Sequence, residues 1–221
     1  MGIQQHEMQA ARRRASRQDG EGTRRLILET AGELFAERGY ADTTSKDICS
    51  AANVNGAAVN YYFGGKEGLY REVLIEAHQQ LLNRDDLEEV DALKVAPGEK
   101  LRVFYKRLLF GQESTAKRWG AKIFLREISA PSMAVEAVLP VAVLPKAEIL
   151  RRIISEIIGE PADSPTVQRG TAFVVLPCIC LIMFPERLRT KILPAVNVND
   201  ESMLDDMVRY TIAGLNALRD K

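Results

Sequence analysis

The stretch that decides the fold is GYADTTSKDICSAANVNGAAVNYYFGGKEGLY, residues 39–70. Within it, Thr44-Ser45-Lys46-Asp47 fits a capping box, in which the threonine hydroxyl and the aspartate carboxylate satisfy free N–H groups at the start of a helix. Asn53 follows this helix and tolerates a positive φ, which suits a tight turn. The pattern therefore predicts two short helices joined by a tight turn.

The second of these short helices is predicted to run from Gly56 to about Phe63. Asn55 is placed to cap its start, and Gly64-Gly65 breaks the chain after it. A further long helix is predicted to begin at Lys66, because apolar residues recur at helical spacing in the sequence that follows. This stripe consists of Leu69, Val73, Ala77 and Leu81.

A first helix is predicted upstream, from Thr23 to Gly39. Its apolar face comprises Ile27, Ala31, Leu34 and Phe35. Residues 1–22 before it have no apolar periodicity and contain the arginine-rich run RRRASR, so we predict a disordered basic arm. A solvated tail and an arm that tracks DNA fit this composition equally.

Two short helices joined by a tight turn can present the second helix to a DNA major groove. Gly56 and Ala57 have almost no side chain, so the helix start can lie close to base edges or thymine methyl groups. Asn60 lies about one turn further on and offers a base both a donor and an acceptor. Side chains suited to phosphates follow in Tyr61, Tyr62 and Lys66. On spacing alone, a three-helix packing unit with no part in DNA binding fits equally well.

The same segment resembles the helix-turn-helix of the tetracycline-repressor (TetR) family. The matching stretches are Thr43-Thr44, Ala52-Asn53-Val54-Asn55, Asn60-Tyr61-Tyr62-Phe63 and Gly65-Lys66-Glu67. Asn53 stands where the family usually has a turn glycine. Asn60 stands where the family often has tyrosine, which suggests a base contact in place of a phosphate contact. By this resemblance the phosphate-binding residues are Thr44, Ser45, Tyr61, Tyr62 and Lys66, and the base-reading residues are Lys46, Gly56, Ala57 and Asn60.

The remainder of the chain is predicted to be entirely helical. Pro97 suits a first helical turn, and a helix over 132–158 is predicted to bend or break at Pro140 and Pro145. The apolar run Phe173–Phe184 is too short to cross a bilayer. We predict that it forms a helix buried on all sides, of the kind often found between subunits.

The C-terminal half resembles, more weakly, a TetR subgroup typified by the CecR regulators. The resemblance lies in Arg126-Glu127, Pro131-Ser132 and the closing MVRYTIAGLNAL. It implies an all-α protein with an N-terminal three-helix DNA-binding domain, residues 23–68, and a larger helical ligand-binding and dimerisation domain, residues 69–221. The family resemblance favours a repressor that is released from a palindromic operator by an effector.

Two expectations concern the C-terminal half. The apolar surface of the Phe173–Phe184 run and of the stripe between Leu204 and Leu218 is larger than one small domain would bury. We therefore predict a homodimer built on the last two long helices. Five large apolar residues are predicted to line a cavity for a small, largely hydrophobic effector, although plain core packing explains any one of them as well. They are Phe104, Leu108, Trp119, Phe124 and Met133.

Other function classes are disfavoured by what the sequence lacks. The two histidines lie apart, and no catalytic triad, glycine-rich phosphate loop or metal-ligand cluster is visible, so we predict no enzyme, cofactor or metal site. The three cysteines, Cys49, Cys178 and Cys180, are predicted to be small buried residues of a cytoplasmic protein. The predicted partners are double-stranded operator DNA, an effector and a second copy, without a membrane. An architectural DNA-binding protein that responds to no effector is the alternative.

Overall fold

The computed structural model describes residues 2–110, 118–197 and 200–219, which contain helices and no β-strand. The predicted all-α class is confirmed. The chain divides into two compact units, Met1–Leu74 and Ile75–Lys221. The predicted domain boundary, after residue 68, lies a few residues before this division.

The N-terminal unit is built from helices α1 (Gly2–Arg38), α2 (Ser45–Ala51) and α3 (Ala58–Phe63) and from the first part of α4 (Lys66–Leu81). The prediction of a disordered arm over residues 1–22 is wrong, because the backbone is helical from Gly2 onward. The physical reason is composition, since glutamine, alanine, arginine and glutamate favour helix and no proline interrupts them. Thr23 therefore lies inside the helix, where its hydroxyl donates to the carbonyl of Asp19 instead of forming a cap.

Apolar side chains from all four helices meet in the core of this unit. The fully buried ones include Ile27, Phe35, Ile48, Val59, Leu69 and Val73. Beside them Phe35, Tyr40 and Tyr70 form an aromatic cluster with ring centroids 4.7–5.9 Å apart. The apolar face predicted for the first helix holds with one shift, since Ile27, Ala31 and Phe35 are buried and Leu34 is half-buried.

The C-terminal unit continues α4 and adds eight α-helices within the described residues. These are α5 (Arg84–Ala92), α6 (Pro97–Phe110), α7 (Arg118–Ser129), α8 (Ala134–Val138), α9 (Leu144–Ile158), α10 (Pro165–Met183), α11 (Glu186–Ile192) and α12 (Glu201–Arg219). A π-helical segment, Leu139–Val143, separates α8 from α9. It contains Pro140, whose missing N–H prevents a regular α-helix, so the interruption predicted there is present as a π-helical segment. The interruption predicted at Pro145 is not seen, because this proline lies in the first turn of α9, where a missing N–H is tolerated.

Helix α9 lies at the centre of this unit and packs against α5, α6, α10 and α12. Ile153 and Ile154 are its fully buried residues. The buried ammonium of Lys100 on α6 binds the Glu156 carboxylate of α9 at 2.9 and 3.0 Å. The Tyr105 hydroxyl shares a 2.8 Å hydrogen bond with Thr211, which joins α6 to α12.

Helix α10 is not buried on all sides. Its inner face contributes Val167, Val174 and Cys178 to the core, but Phe173 is 62% exposed and Leu176 is 57% exposed. The expectation of an all-round buried helix is therefore wrong for the single chain. By length and composition α10 could also cross a membrane, a property that it shares with core helices of soluble proteins.

Candidate DNA-binding surface and ligand cavity

The helix-turn-helix begins with the capping box that the sequence predicts. Asp47 donates its N–H to the Thr44 hydroxyl oxygen at 3.1 Å, and the Thr44 N–H donates to the Asp47 carboxylate at 2.9 Å. The Thr44 hydroxyl donates to the same carboxylate at 2.6 Å. These hydrogen bonds hold the pKa of Asp47 below its usual value. Both polar hydrogens of Thr44 therefore point to Asp47.

The turn between α2 and α3 depends on two asparagines. Asn53 has a φ of 52°, the one positive φ among described non-glycine residues, which confirms its predicted turn role. Asn55 accepts the N–H of Ala57 at 2.8 Å through its side-chain oxygen. Helix α3 starts at Ala58 and not at Gly56, because Gly56 and Ala57 belong to the turn that Asn55 holds.

Glycines fix the junction between α3 and α4. Gly64 and Gly65 have φ values of 69° and 122°, which end α3 as predicted. Gly68 lies so close to α3 that an added Cβ would overlap the carbonyl oxygen of Phe63. Sequence reasoning missed this role of Gly68, although its place in the run GGKEG was a visible signal.

All nine residues predicted to contact DNA lie on the surface of the N-terminal unit. Those exposed are Thr44, Lys46, Gly56, Ala57, Asn60 and Tyr61, and those half-buried are Ser45, Tyr62 and Lys66. Tyr61 is 81% exposed and makes an edge-on contact with Tyr62 at 4.8 Å between ring centroids. The polar and small side chains predicted to contact DNA are thus all at least partly open to solvent.

The ammonium of Lys66 lies 4.2 Å from the centroid of the Tyr40 ring. This cation–π contact holds the charge near the start of α4, where free backbone N–H groups also point outward. The combination suits a phosphate. Tyr40 was not among the predicted site residues, and only the fold brings it to Lys66.

The C-terminal unit contains a cavity of about 440 Å³. Phe104, Leu108 and Phe124 line it, as predicted. Trp119 and Met133 do not line it. Trp119 is buried near the start of α7, whereas Met133 lies beyond Ser129, the last residue of that helix, and is 86% exposed.

Close helix packing shapes one wall of this cavity. Gly120 of α7 lies against Ala77 of α4, so closely that an added Cβ would be 3.2 Å from the Ala77 Cα. This approach brings the Phe124 ring edge-on to His78, with centroids 5.0 Å apart. Ala142 of the π-helical segment lines the cavity as well.

One end of the cavity is polar. Lys146 is 8% exposed, and its ammonium donates to the carbonyls of His78 at 2.8 Å and Leu82 at 2.9 Å. Burial lowers the pKa of Lys146 to about 8. Burial, with a smaller effect of the Lys146 charge, lowers the pKa of His78 to about 4. At neutral pH the cavity therefore presents a neutral imidazole and an ammonium.

The described residues contain no group of three or more His, Cys, Asp or Glu side chains that could hold a metal ion. Cys49 and Cys178 are buried, as expected. Cys180 is exposed, because it faces outward on α10 two residues after Cys178.

Two family models match the chain. Residues 27–73 match the model of bacterial regulatory proteins of the tetR family. Residues 97–215, more than half of the chain, match the model of the C-terminal domain of the HTH-type transcriptional dual regulator CecR.

Similar proteins come from several bacteria. The "Probable HTH-type transcriptional regulator YttP" of Bacillus subtilis is 25% identical over 134 residues, 61% of this chain and 64% of that protein. The "Probable acrEF/envCD operon repressor" of Escherichia coli K12 is 34% identical over 97 residues, 43% of this chain and 41% of that protein. The chain thus spans less than two thirds of these relatives. The structure of the regulator PfmR from Thermus thermophilus matches at 22% identity with a TM-score of 0.61, covering 83% of this chain and 94% of that one, which shows a shared fold.

Proposed function

The chain belongs to the TetR family of bacterial regulatory proteins, and from this premise we propose that it represses transcription as a homodimer on a palindromic operator and leaves that operator when a small, largely hydrophobic effector binds. The observation that carries the proposal is the exposed surface of the helix-turn-helix, where Asn60 and Tyr61 of α3 are open to solvent and Lys66 begins the next helix. The word "repressor" in the name of the Escherichia coli relative supports this direction of regulation.

Within the DNA surface we assign two roles. The phosphate contacts are Thr44, Ser45, Tyr61, Tyr62 and Lys66, and the base contacts are Lys46, Gly56, Ala57 and Asn60. For Thr44 a phosphate contact requires exchange of its hydrogen bond to Asp47. Gly56 and Ala57 leave room for the turn and the start of α3 to approach base edges.

The second copy is proposed to pack on the outward faces of α10 and α12. On α10 these faces expose Phe173 and Leu176. On α12 they expose Tyr210 together with small residues such as Gly214. Two helices from each subunit would form a four-helix interface that removes this apolar surface from water. We place the dimer in the cytoplasm with its DNA.

Release is proposed to begin in the cavity of the C-terminal unit, whose volume lies in the range of small-molecule sites. A ligand shifts a conformational equilibrium only by the difference in its affinity for the two states. The effector must therefore bind the state with poorly spaced DNA-binding units more tightly than the operator-bound state.

The DNA proposal is tested by selecting duplexes from a random pool with the purified chain. We expect an enriched palindrome, and we expect some members of a panel of apolar compounds to weaken binding to it. Equal binding to all duplexes would identify an architectural protein. If a palindrome is enriched but no compound of the panel changes the affinity for it, binding to a palindromic operator stands and release by an apolar effector is rejected.

The dimer is tested by sedimentation. We expect a dimer for the natural chain and a monomer for Phe173→Asp, because a buried carboxylate in an apolar interface is costly. Leu125→Asp, at an exposed apolar residue of α7, is the matched control and should stay dimeric. A natural chain that is monomeric at high micromolar concentration would exclude this interface.

A further inference from the structure

We propose that the cavity of the C-terminal unit is built for an amphiphile with a carboxylate head and an apolar body. This inference rests on the proposed role of the cavity as the effector site. It starts from charge complementarity. Among the described residues that line the cavity, the charged ones are Lys146 and Arg151, and none is an aspartate or a glutamate.

Lys146 is the centre of the proposed head-group site. Its ammonium is buried and donates to the carbonyls of His78 and Leu82 at the end of α4. An ammonium has three N–H donors, so one remains for a ligand. Among the described residues Lys146 forms no ion pair with a carboxylate. A buried charge without a counterion is costly, and an incoming anion would reduce that cost.

The surroundings of Lys146 point to the same ligand. Arg151 lies further along α9, also lines the cavity, and has no ion pair among the described residues. Two further polar side chains of the lining, both on α10, already donate hydrogen bonds to backbone carbonyls. Gln168 donates to the carbonyl of Asp163, and Thr171 donates to the carbonyl of Val167, each at 2.8 Å. The cationic groups available to a ligand are thus Lys146 and Arg151, beside the neutral imidazole of His78.

The rest of the lining is apolar and sets the size of the ligand body. Phe104, Phe124 and Leu150 are among the side chains that would contact it. A volume of about 440 Å³ lies toward the lower end of small-molecule sites, which range from about 300 to about 1,000 Å³. A medium-chain fatty acid or an arylalkanoic acid of that size satisfies both ends of the cavity.

A competing explanation is that Lys146 only caps α4. A helix cap interacts with the carbonyls of its own protein and does not distinguish ligands by charge. The two explanations therefore differ in one measurable property, which is the preference for an acid over a neutral molecule of the same shape.

The experiment compares three probes with one alkyl chain, decanoate, decanamide and decylamine, by calorimetry on the full-length protein at neutral pH. We expect decanoate to bind at least tenfold more tightly than decanamide, since a hydrogen bond to a charged group is worth more than one between neutral groups. Decylamine should bind more weakly than both. This comparison needs no variant, so it does not depend on how a mutant folds.

Variants then locate the preference. Lys146→Met should remove the tenfold preference while leaving decanamide binding in place, and Lys146→Arg should keep the preference. Lys122→Met, at an exposed lysine of α7 outside the lining, is the matched control and should change nothing. Ala172→Phe, which fills the cavity, should reduce the binding of all three probes.

The outcomes separate this inference from the proposed function. Equal affinity for decanoate and decanamide would overturn the carboxylate site and leave a hydrophobic effector in place. Acid preference that persists in Lys146→Met would also overturn it. If none of the probes binds, both the carboxylate site and the cavity's role as an effector site fail.

Discussion

Acidification should destabilise the protein through His78, because the imidazole at the cavity wall is held neutral in the folded chain. Its pKa falls from 6.5 to about 4 on folding, mainly because burial disfavours the charged form. In the unfolded chain the same imidazole takes up a proton near its ordinary pKa. Between these two values the unfolded state binds more protons, so stability falls as the pH falls.

The size of the effect follows from the two pKa values. Each pH unit inside the window costs about 1.4 kcal/mol, so acidification from about pH 6.5 to about pH 5 removes about 2 kcal/mol of stability. Above pH 6.5 both states are neutral, and below about pH 4 both are protonated, so the contribution of His78 is constant outside the window.

The assay is urea unfolding of the natural chain and of His78→Gln at about pH 7.5 and about pH 5. Glutamine is neutral at both values, so the natural chain should lose about 2 kcal/mol more than the variant. Other titrating groups cancel in this comparison. An equal loss in both proteins would show that His78 protonates as easily in the folded chain as in water, and that the cavity wall is not dry.

Four further predictions concern the DNA surface and the core. Lys66→Ala should weaken binding to operator and scrambled duplexes alike and flatten the logarithmic salt dependence by about one unit of slope. Asn60→Ala should cost roughly 1–3 kcal/mol on the operator and little on scrambled DNA, and equal losses on both duplexes would reject base reading. Gly68→Ala should reduce operator affinity and thermal stability because its Cβ overlaps the Phe63 carbonyl, whereas Gly22→Ala, with open space around it, should be neutral or stabilising. Ile153→Ala, at a fully buried residue, should lower the free energy of unfolding by about 2–5 kcal/mol, and a loss below about 1 kcal/mol would contradict its central place in the core.

The sequence alone predicted the helix-turn-helix because the interactions that shape it are local. The capping box joins Thr44 to Asp47, three residues apart, and the turn depends on the positive φ of Asn53. Gly64 ends α3 by the same kind of local rule. Such contacts are visible as residue types at fixed spacing, whereas the full set of candidate DNA contacts came from the resemblance to the TetR family.

The boundaries were less predictable where local preferences were weak or competed. Helix α1 begins far before Thr23, since helix-favouring composition does not need an apolar stripe. Helix α3 begins after Gly56, because Asn55 binds the Ala57 N–H and holds the turn. The outward faces of α10 could be recognised as apolar from sequence, but not as exposed in the single chain.

Which residues line the cavity was determined by the tertiary structure and could not be predicted from the sequence. Its polar end joins His78 to Lys146, 68 residues apart, through one hydrogen bond. The close approach at Gly120 brings Phe124 to the wall, while Trp119 points elsewhere and Met133 lies on the surface. Helical periodicity tells which side of a helix is apolar, but not which helix will lie opposite it. The neighbours of a side chain across a helix interface depend on packing between distant segments, and that packing is settled only when the whole core forms.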